Sequence, residues 1–314
     1  MTISDIPSTR RPPSTERISK LGDRVFGGVS IGAGVLILVT LAAVALFLIT
    51  EAWPTFGAEE LTEPFTEYVA PLLFGTIWAA LLALLMAVPL AVAVALFISH
   101  YAPKRLAVTL GYFIDLLAAI PSVVFGIWGI AVLAPILARS VYPWLEDNLG
   151  FVPFFAGPAS TSGRTMMSAA VILAVMILPI ITAISREVFL QTPRLHEEAS
   201  LALGATKWEM IRQAVIPYGR SGVISGAMLG LGRALGETMA VAIILSPADI
   251  ISFNVISNQN PPTIAQNIAL KFPESSGIEV NRLIATGLVL FAVTFIVNAL
   301  ARRVANAGFS GADG

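Results

Sequence analysis

The chain has 314 residues, of which 56% are hydrophobic and only 12% are charged. Soluble globular proteins carry about 25% charged residues, so this composition leaves too few charges to cover a water-soluble surface. The absence of cysteine excludes disulfides, zinc–thiolate sites and cysteine nucleophiles. The formal net charge of −1 gives no indication of a nucleic-acid partner. The sequence therefore predicts an all-α integral membrane protein.

Six apolar segments are long enough to be membrane spans. Residues 1–24 form a polar, basic tail, and residues 25–51 are interpreted as a retained first span and not as a cleaved signal. Pro121 and Pro135 lie in the third segment, where they predict a kink, a tilt or an early exit. The six segments are Val25–Ile49, Leu72–Ile98, Leu106–Leu137, Met166–Ile184, Gly222–Leu245 and Leu283–Ala301.

The distribution of basic residues predicts the orientation. With the N-terminus inside the cell, most of the 19 Lys and Arg residues fall in cytoplasmic segments. The opposite topology would reverse that bias, so both termini are predicted to be cytoplasmic, including the tail of residues 305–314. The first outside loop agrees, because it has no basic residue and carries Glu51, Glu59, Glu60, Glu63 and Glu67.

The longest cytoplasmic segment, residues 187–218, has the local chemistry of two short helices. Thr192 and Pro193 form a cap and first-turn pair, which predicts a helix from Pro193 to Leu203. Gly204 can supply the left-handed residue that ends this helix. An ordinary amphipathic loop between two spans is the alternative interpretation.

The second short helix begins with a capping box. Thr206 and Glu209 have the spacing at which side chain and backbone cap each other. Pro217 then ends or kinks the helix. Together the two helices predict a rigid elbow on the cytoplasmic face.

The segment EEASLALGATKWEMIRQAVIP resembles the coupling loop of binding-protein-dependent ABC importer permeases. Their pattern is Glu-Ala-Ala, three residues, Gly, nine residues and Ile-x-Leu-Pro; Glu198, Ala199, Gly204 and Pro217 match it at the same spacing. Ser200, Ala214 and Ile216 replace family residues with ones of similar size or hydrophobicity. The resemblance implies that Glu198, Ala199 and Gly204 dock into a separate ATPase subunit, and it implies a six-helix, type I (MetI-like) permease core at residues 71–304.

Two further segments resemble phosphate-specific importers. They are GLGRALGETMAV in the fifth span and LLAAIPSVVFGIWG in the third, while WPTFG and the second span are closer to permeases of the PstC type than to the PstA type. The resemblance implies a phosphate importer in the bacterial plasma membrane. Its other subunits would be a PstA-type permease, two copies of an ATP-binding subunit and an extracytoplasmic phosphate-binding protein.

Arg233 and Glu237 carry charges inside the fifth predicted span. An arginine in mid-membrane costs about 2.5–3.5 kcal/mol on insertion scales, so it must face protein, water or a partner. The two residues are four apart on one helix face and can pair, and a guanidinium can bind phosphate through two hydrogen bonds. Our hypothesis is that Arg233 contacts the passing phosphate while Glu237 holds the arginine. A purely structural ion pair is the alternative.

Other polar residues near the spans are weaker candidates. Ser122 follows a proline that frees backbone groups, and Asp115 lies near the cytoplasmic end of the third span, so both are predicted pathway residues. His100 and His196 are interpreted as solvated loop residues without a metal. Small residues at a spacing of four predict tight helix packing, possibly at the seam between subunits: Gly222, Gly226, Gly230 and Ala234.

No motif for ATP binding or catalysis is present, and no cofactor is predicted. The outside segments Trp144–Thr165 and Asp249–Glu279 are long enough to dock a binding protein, or they are poorly ordered loops. Three alternatives remain: a permease for sulfate or molybdate, an ion-coupled secondary transporter or channel, and an intramembrane enzyme. The coupling-loop spacing argues against the second, and the lack of a nucleophile or metal cluster argues against the third.

Overall fold

A computed structural model describes residues 20–57 and 63–307. Most of the two predicted tails, and Glu59 and Glu60 of the first loop, lie outside these residues. Within them the chain is helical, and five helical segments are long and apolar enough to cross a membrane. These segments are Arg24–Phe56, Phe65–Tyr101, Ser122–Leu149, Met166–Leu190 and Ile278–Arg303.

We number the α-helices of the described residues in chain order. They are α1 (Lys20–Ala52), α2 (Phe65–Leu96), α3 (Lys104–Ala118), α4 (Ser122–Leu149), α5 (Met166–Leu190), α6 (Arg194–Ala202), α7 (Lys207–Met210), α8 (Ile216–Leu235), α9 (Met239–Ile244), α10 (Ile264–Lys271) and α11 (Ile278–Ala307). A π-helical turn, Phe97–Tyr101, extends α2, and another, Ile211–Val215, joins α7 to α8.

The chain divides into two compact units, the first ending at Phe47 and the second beginning at Leu48. In the first unit the described residues belong to α1, whose large apolar side chains are mostly exposed, among them Phe26 and Leu38. A helix that is apolar all round suits a lipid environment. The predicted first span is therefore present as a helix.

The core of the second unit is the packing of α2 against α5. Alanines at a spacing of four line α2 and are almost wholly buried; they are Ala79, Ala83, Ala87, Ala91 and Ala95. Small side chains let two helix backbones approach closely, which is the usual basis of helix association in membranes. The close approach lets the Thr182 hydroxyl on α5 donate to the Ala91 carbonyl on α2, at 3.5 Å.

The glycine stripe of α8 packs on α5 of the same chain. A Cβ added at Gly222 would lie 2.3 Å from Cγ2 of Val188, and one at Gly230 would lie 3.0 Å from Cδ1 of Ile181. The prediction of tight packing is confirmed. The suggested location at a subunit seam is wrong, because these glycines face a helix within the chain.

The third and fifth predicted spans are each divided. The chain leaves the helix after Ala118 and re-enters at Ser122, because proline disfavours the helical conformation of the residue before it and lacks an N–H donor. Pro135, by contrast, lies within α4, between two π-helical turns. The fifth predicted span ends at Leu235 and resumes as the short helix α9, so it is not a single continuous crossing.

At the end of the molecule opposite α6 and α7, the two long connecting segments are bonded to each other. Asn260 is fully buried; its amide nitrogen donates to the carbonyls of Arg164 and Ser246, both at 3.1 Å. Its amide oxygen accepts from the backbone N–H of Met166 at 2.8 Å. The alternative of poorly ordered loops is therefore wrong, since these segments form a packed lid across the helix ends.

Candidate functional site

The two short helices α6 and α7 form the elbow that the sequence predicts. The backbone of Gly204 is left-handed, with φ +86°, as only glycine adopts easily. The N–H of Ala205 donates to the carbonyl of Ser200 at 3.3 Å, and the N–H of Gly204 donates to that of Leu201 at 3.0 Å. These two bonds form a complete Schellman motif, which fixes the angle between the helices.

The capping box at the start of α7 is also present. The N–H and hydroxyl of Thr206 both donate to Oε2 of Glu209, at 2.8 and 2.7 Å, and the N–H of Glu209 donates to the Thr206 hydroxyl at 3.3 Å. These bonds to the ionised carboxylate lower the pKa of Glu209. The start of α7 is therefore fixed by local sequence alone.

The cap predicted for α6 is displaced by one residue. Pro193 itself occupies the cap position, and no side chain caps the helix. Thr192 is buried and its hydroxyl has no hydrogen-bond partner among the described residues. The predicted cap–proline pair is therefore wrong, because the extended conformation needed at the cap is supplied by the proline.

Pro217 lies in the first turn of α8, directly after the π-helical turn Ile211–Val215. Proline cannot donate the hydrogen bond that a continuous α-helix needs at that position. A π turn inserts one residue into the helix. The elbow is thus joined to α8 by a π-helical turn. Pro217 lies within the helix and does not end it.

The elbow is attached to the core through apolar contacts and through a contact between His100 and Glu197. Met210, Ile211 and Val215 are buried against the ends of α2 and α5. Nε2 of His100, at the end of α2, lies 3.5 Å from Oε1 of Glu197 on α6. The side chain of His100 is only 8% exposed, so its interpretation as a solvated loop residue is wrong.

The other face of the elbow is exposed. Glu198, Ala199 and Gly204 are all exposed, as is Pro217. Two large apolar side chains accompany them, Leu195 at 76% exposure and Leu203 at 89%. The two adjacent glutamates therefore face in opposite directions: Glu197 faces the core and Glu198 faces outward.

Arg233 lines a cavity of about 680 Å³ between α5, α8 and α11. Its guanidinium has no carboxylate within 4.0 Å among the described residues. The cavity is lined by Ile180, Ile224, Ser225, Met228, Leu229, Gly232, Arg233, Asn298, Ala301 and Arg302. Nothing in the sequence indicated Asn298 or Arg302, because they come from a helix that is distant in the chain.

The predicted pairing of Arg233 with Glu237 is not formed. Glu237 lies beyond the helix end at Leu235, so the spacing of four no longer places the two side chains on one face. Its carboxylate is buried and accepts from the N–H of Ala240 at 3.0 Å, in the first turn of α9. A carboxylate at that position also compensates the helix dipole. Glu237 therefore stabilises the break in the fifth predicted span.

Ser122 and Asp115 do not join this cavity. Ser122 is half-buried in the first turn of α4, and Asp115 is exposed on α3. Neither lines the cavity of Arg233. The structure thus separates the predicted site residues into an exposed elbow, an arginine cavity and two isolated positions.

The sequence matches the model of a known family. The family model described as "Binding-protein-dependent transport system inner membrane component" matches residues 87–307. The chain belongs to this family. The match includes the elbow and the cavity, so the resemblance inferred from the coupling-loop motif is confirmed.

The permease also has similar relatives along nearly its whole length. It is 43% identical to "Phosphate transport system permease protein PstC 2" of Mycobacterium tuberculosis over 311 residues, covering 94% of this chain and 95% of the relative. It is 40% identical to the PstC permease of Mesorhizobium japonicum, covering 92% and 91%. The corresponding protein of Haemophilus influenzae is 36% identical, covering 85% and 88%.

Among solved structures, the permease resembles a chain of a bacterial alginate ABC transporter crystallised with an alginate-bound periplasmic protein. The TM-score is 0.59 at 15% identity, and the match covers 91% of this chain and 96% of that one. This likeness concerns the fold.

Proposed function

We propose that this permease forms half of the translocation pathway of an ATP-driven importer of inorganic phosphate. The observation that carries the proposal is 43% identity, over 94% of the chain, to a relative named as a PstC permease of a phosphate transport system. The cavity beside Arg233 supplies a suitable chemistry, because a guanidinium matches the oxygens of a phosphate group. ATP hydrolysis is assigned to a separate subunit.

The proposed partners follow from the family and from the elbow. Two copies of an ATP-binding subunit, a second permease of the PstA type and an extracytoplasmic phosphate-binding protein would complete the importer. The exposed elbow would dock in one ATP-binding subunit through Glu198, Ala199 and the two exposed leucines. Gly204 would hold the angle of the elbow, and Pro217 would mark where it joins α8.

The proposed orientation places the elbow and both termini in the cytoplasm. The bias of lysine and arginine residues supports it. The opposite end, where the connecting segments form a packed lid, would then face the binding protein. A force applied to the elbow would reach α8 directly, since a continuous helical path joins Lys207 to Leu235.

Arg233 is the proposed contact for phosphate on this pathway. It stands half-buried in the wall of the cavity without an acidic partner within 4.0 Å among the described residues. Glu237 would act by holding the break between α8 and α9, and so would position the helix end that carries Arg233. Ser122 and Asp115 remain candidates for other parts of the pathway.

The test is phosphate uptake by the complete importer in membrane vesicles. The substitution Arg233→Gln is expected to reduce ATP-driven phosphate uptake by about tenfold or more, the loss that corresponds to about 1.4 kcal/mol. Assembly with the ATP-binding subunits should be unchanged. Normal phosphate uptake by an assembled Arg233→Gln importer would reject the role of Arg233.

Competition between anions tests the substrate. Excess sulfate or molybdate should leave uptake of labelled phosphate unchanged, whereas unlabelled phosphate should abolish it. If sulfate or molybdate were itself transported and displaced phosphate, the chain would be a permease for another oxyanion.

A further inference from the structure

The cavity beside Arg233 contains two additional donors that the proposed function leaves unused. Asn298 and Arg302 both project from α11 into its wall. They are four residues apart, so they lie on the same face of the helix. Within the described residues, neither side chain makes an internal hydrogen bond or ion pair. Two guanidinium groups and one amide therefore line one cavity with their donors unpaired.

The charge of this cavity is unbalanced. No acidic side chain from the described part of the chain lines it, and the hydroxyl of Ser225 already donates to the carbonyl of Ser221 at 2.9 Å. Arg233 lies in a predicted span, where an arginine is costly unless it is paired or in contact with water or a ligand. Arg302 is exposed and directly follows the sixth predicted span, and it adds a second positive charge to the same wall. An anion would neutralise this charge and satisfy the donors.

The donor set also indicates which anion fits. A tetrahedral oxyanion presents several acceptor oxygens, and each guanidinium can bind two of them with charge-assisted hydrogen bonds. The amide of Asn298 adds further donors. A simple halide has no oxygens to match this geometry, and a cation would be repelled by it.

We infer that Arg302 and Asn298 complete, with Arg233, a binding site for a phosphate-group oxyanion. The inference extends the proposed function, because in that setting the anion is inorganic phosphate held on its way through the permease. The same chemistry is found in the headgroup of an anionic phospholipid, and the experiment below separates the two sources.

The absence of cysteine from the chain allows a direct binding measurement. Ala301→Cys places one thiol in the lining of the cavity. Leu300→Cys is the matched control, since Leu300 is exposed and does not line it. The assembled importer in detergent is treated with an anionic thiol reagent, and modification of this chain is followed by its intact mass.

At saturation, inorganic phosphate is expected to slow labelling of the Ala301→Cys variant by about tenfold relative to chloride. The two salts are compared at equal ionic strength, because this holds electrostatic screening constant. Adding Arg302→Gln should remove the protection, and labelling of Leu300→Cys should be insensitive to phosphate. If anionic phospholipid protects and inorganic phosphate does not, the occupant is a lipid headgroup. If neither protects, or if protection survives Arg302→Gln, the inference is wrong.

Uptake supplies a second readout. If inorganic phosphate is the occupant, Arg302→Gln should lower uptake by about tenfold, and Arg302→Lys should lower it less. Arg303→Gln alters an exposed neighbour outside the cavity and should not lower uptake.

Failure of the proposed function and failure of the proposed site can be distinguished. An importer that does not transport phosphate but shows protection dependent on Arg302 retains the site and loses the proposed function. An importer that transports phosphate normally with Arg302→Gln, and shows no protection, retains the function and loses the site.

Discussion

Nε2 of His100 lies 3.5 Å from Oε1 of Glu197, and this contact joins the end of α2 to the first turn of α6. The hydroxyl of Ser99 lies 2.7 Å from the other ring nitrogen, Nδ1, and so fixes the orientation of the imidazole. Lys207, at the start of α7, lies with its ammonium 4.7 Å from the centre of the Tyr101 ring. The end of α2 therefore holds both helices of the elbow.

The first prediction concerns this attachment. His100→Ala should reduce ATP-driven uptake several-fold, because it removes a partly buried polar contact between α2 and α6 that contributes on the order of 1 kcal/mol. Glu197→Gln should act similarly, and the double variant should be little worse than either single one, since both remove the same contact. His196→Ala is the control, because His196 is exposed on the same helix. Additive losses would show that the two residues act independently.

The second prediction concerns the capping box. Thr206→Ala removes the side chain that caps α7 and should cost about 1 kcal/mol of local helix stability. Hydrogen exchange of elbow peptides in the assembled importer should speed up in this variant, while exchange in α5 stays constant. Unchanged exchange in the elbow would mean that packing against α2 and α5, and not the cap, holds α7 in place.

The capping box of Thr206 and Glu209 also predicts that the stability of the elbow depends on pH. The pKa of Glu209 is lowered in the folded protein by its hydrogen bonds to Thr206, so the carboxylate stabilises the fold at pH values above the ordinary pKa that a glutamate has in the unfolded chain. That contribution is lost as the pH falls through the lowered pKa. Exchange of the elbow, corrected for the intrinsic rate, should rise in that acidic range, and Glu209→Gln should abolish the pH dependence. A pH response that persists in Glu209→Gln would assign it to another group.

The third prediction concerns the packing of α8 on α5. Gly222→Ala should destabilise the permease by about 1–3 kcal/mol, because the added methyl would overlap the side chain of Val188. Val188→Ala in the same chain should restore part of the loss by making space. Thermal unfolding in detergent measures both. Gly34→Ala is the control, since nothing lies within 4 Å of the added carbon; an equal loss there would refute the packing explanation.

Local sequence signals predicted much of the elbow. The left-handed glycine and the capping box are set by residues within a few positions of each other, so they can be inferred without any tertiary contact. The cap of α6 was misplaced because Pro193 adopts the extended conformation by itself. The contact of His100 with Glu197 could not be predicted, since it joins residues almost a hundred positions apart.

The membrane spans likewise combine features that the sequence predicts and features that depend on tertiary packing. Hydropathy located the apolar segments, but it could not show that the fifth one is interrupted where Glu237 accepts from the N–H of Ala240. The alanine stripe of α2 was a signal that could have been used, because Ala83, Ala87, Ala91 and Ala95 repeat at a spacing of four. The cavity depends on how α11 packs beside α8, and no pattern in the chain indicates that Arg302 lines the same cavity as Arg233.

The most direct test of the whole account is ATP-driven phosphate uptake by the assembled importer after the elbow is disrupted. Glu198→Lys combined with Gly204→Val reverses an exposed charge and forces a side chain into a left-handed backbone, where the added Cβ meets no atom of the described residues within 4 Å. Glu187→Lys, which lies outside the elbow, serves as the control. The account predicts that the elbow variant stays folded in the membrane but loses association with the ATP-binding subunit and loses uptake. Full uptake coupled to ATP hydrolysis in that variant would contradict it.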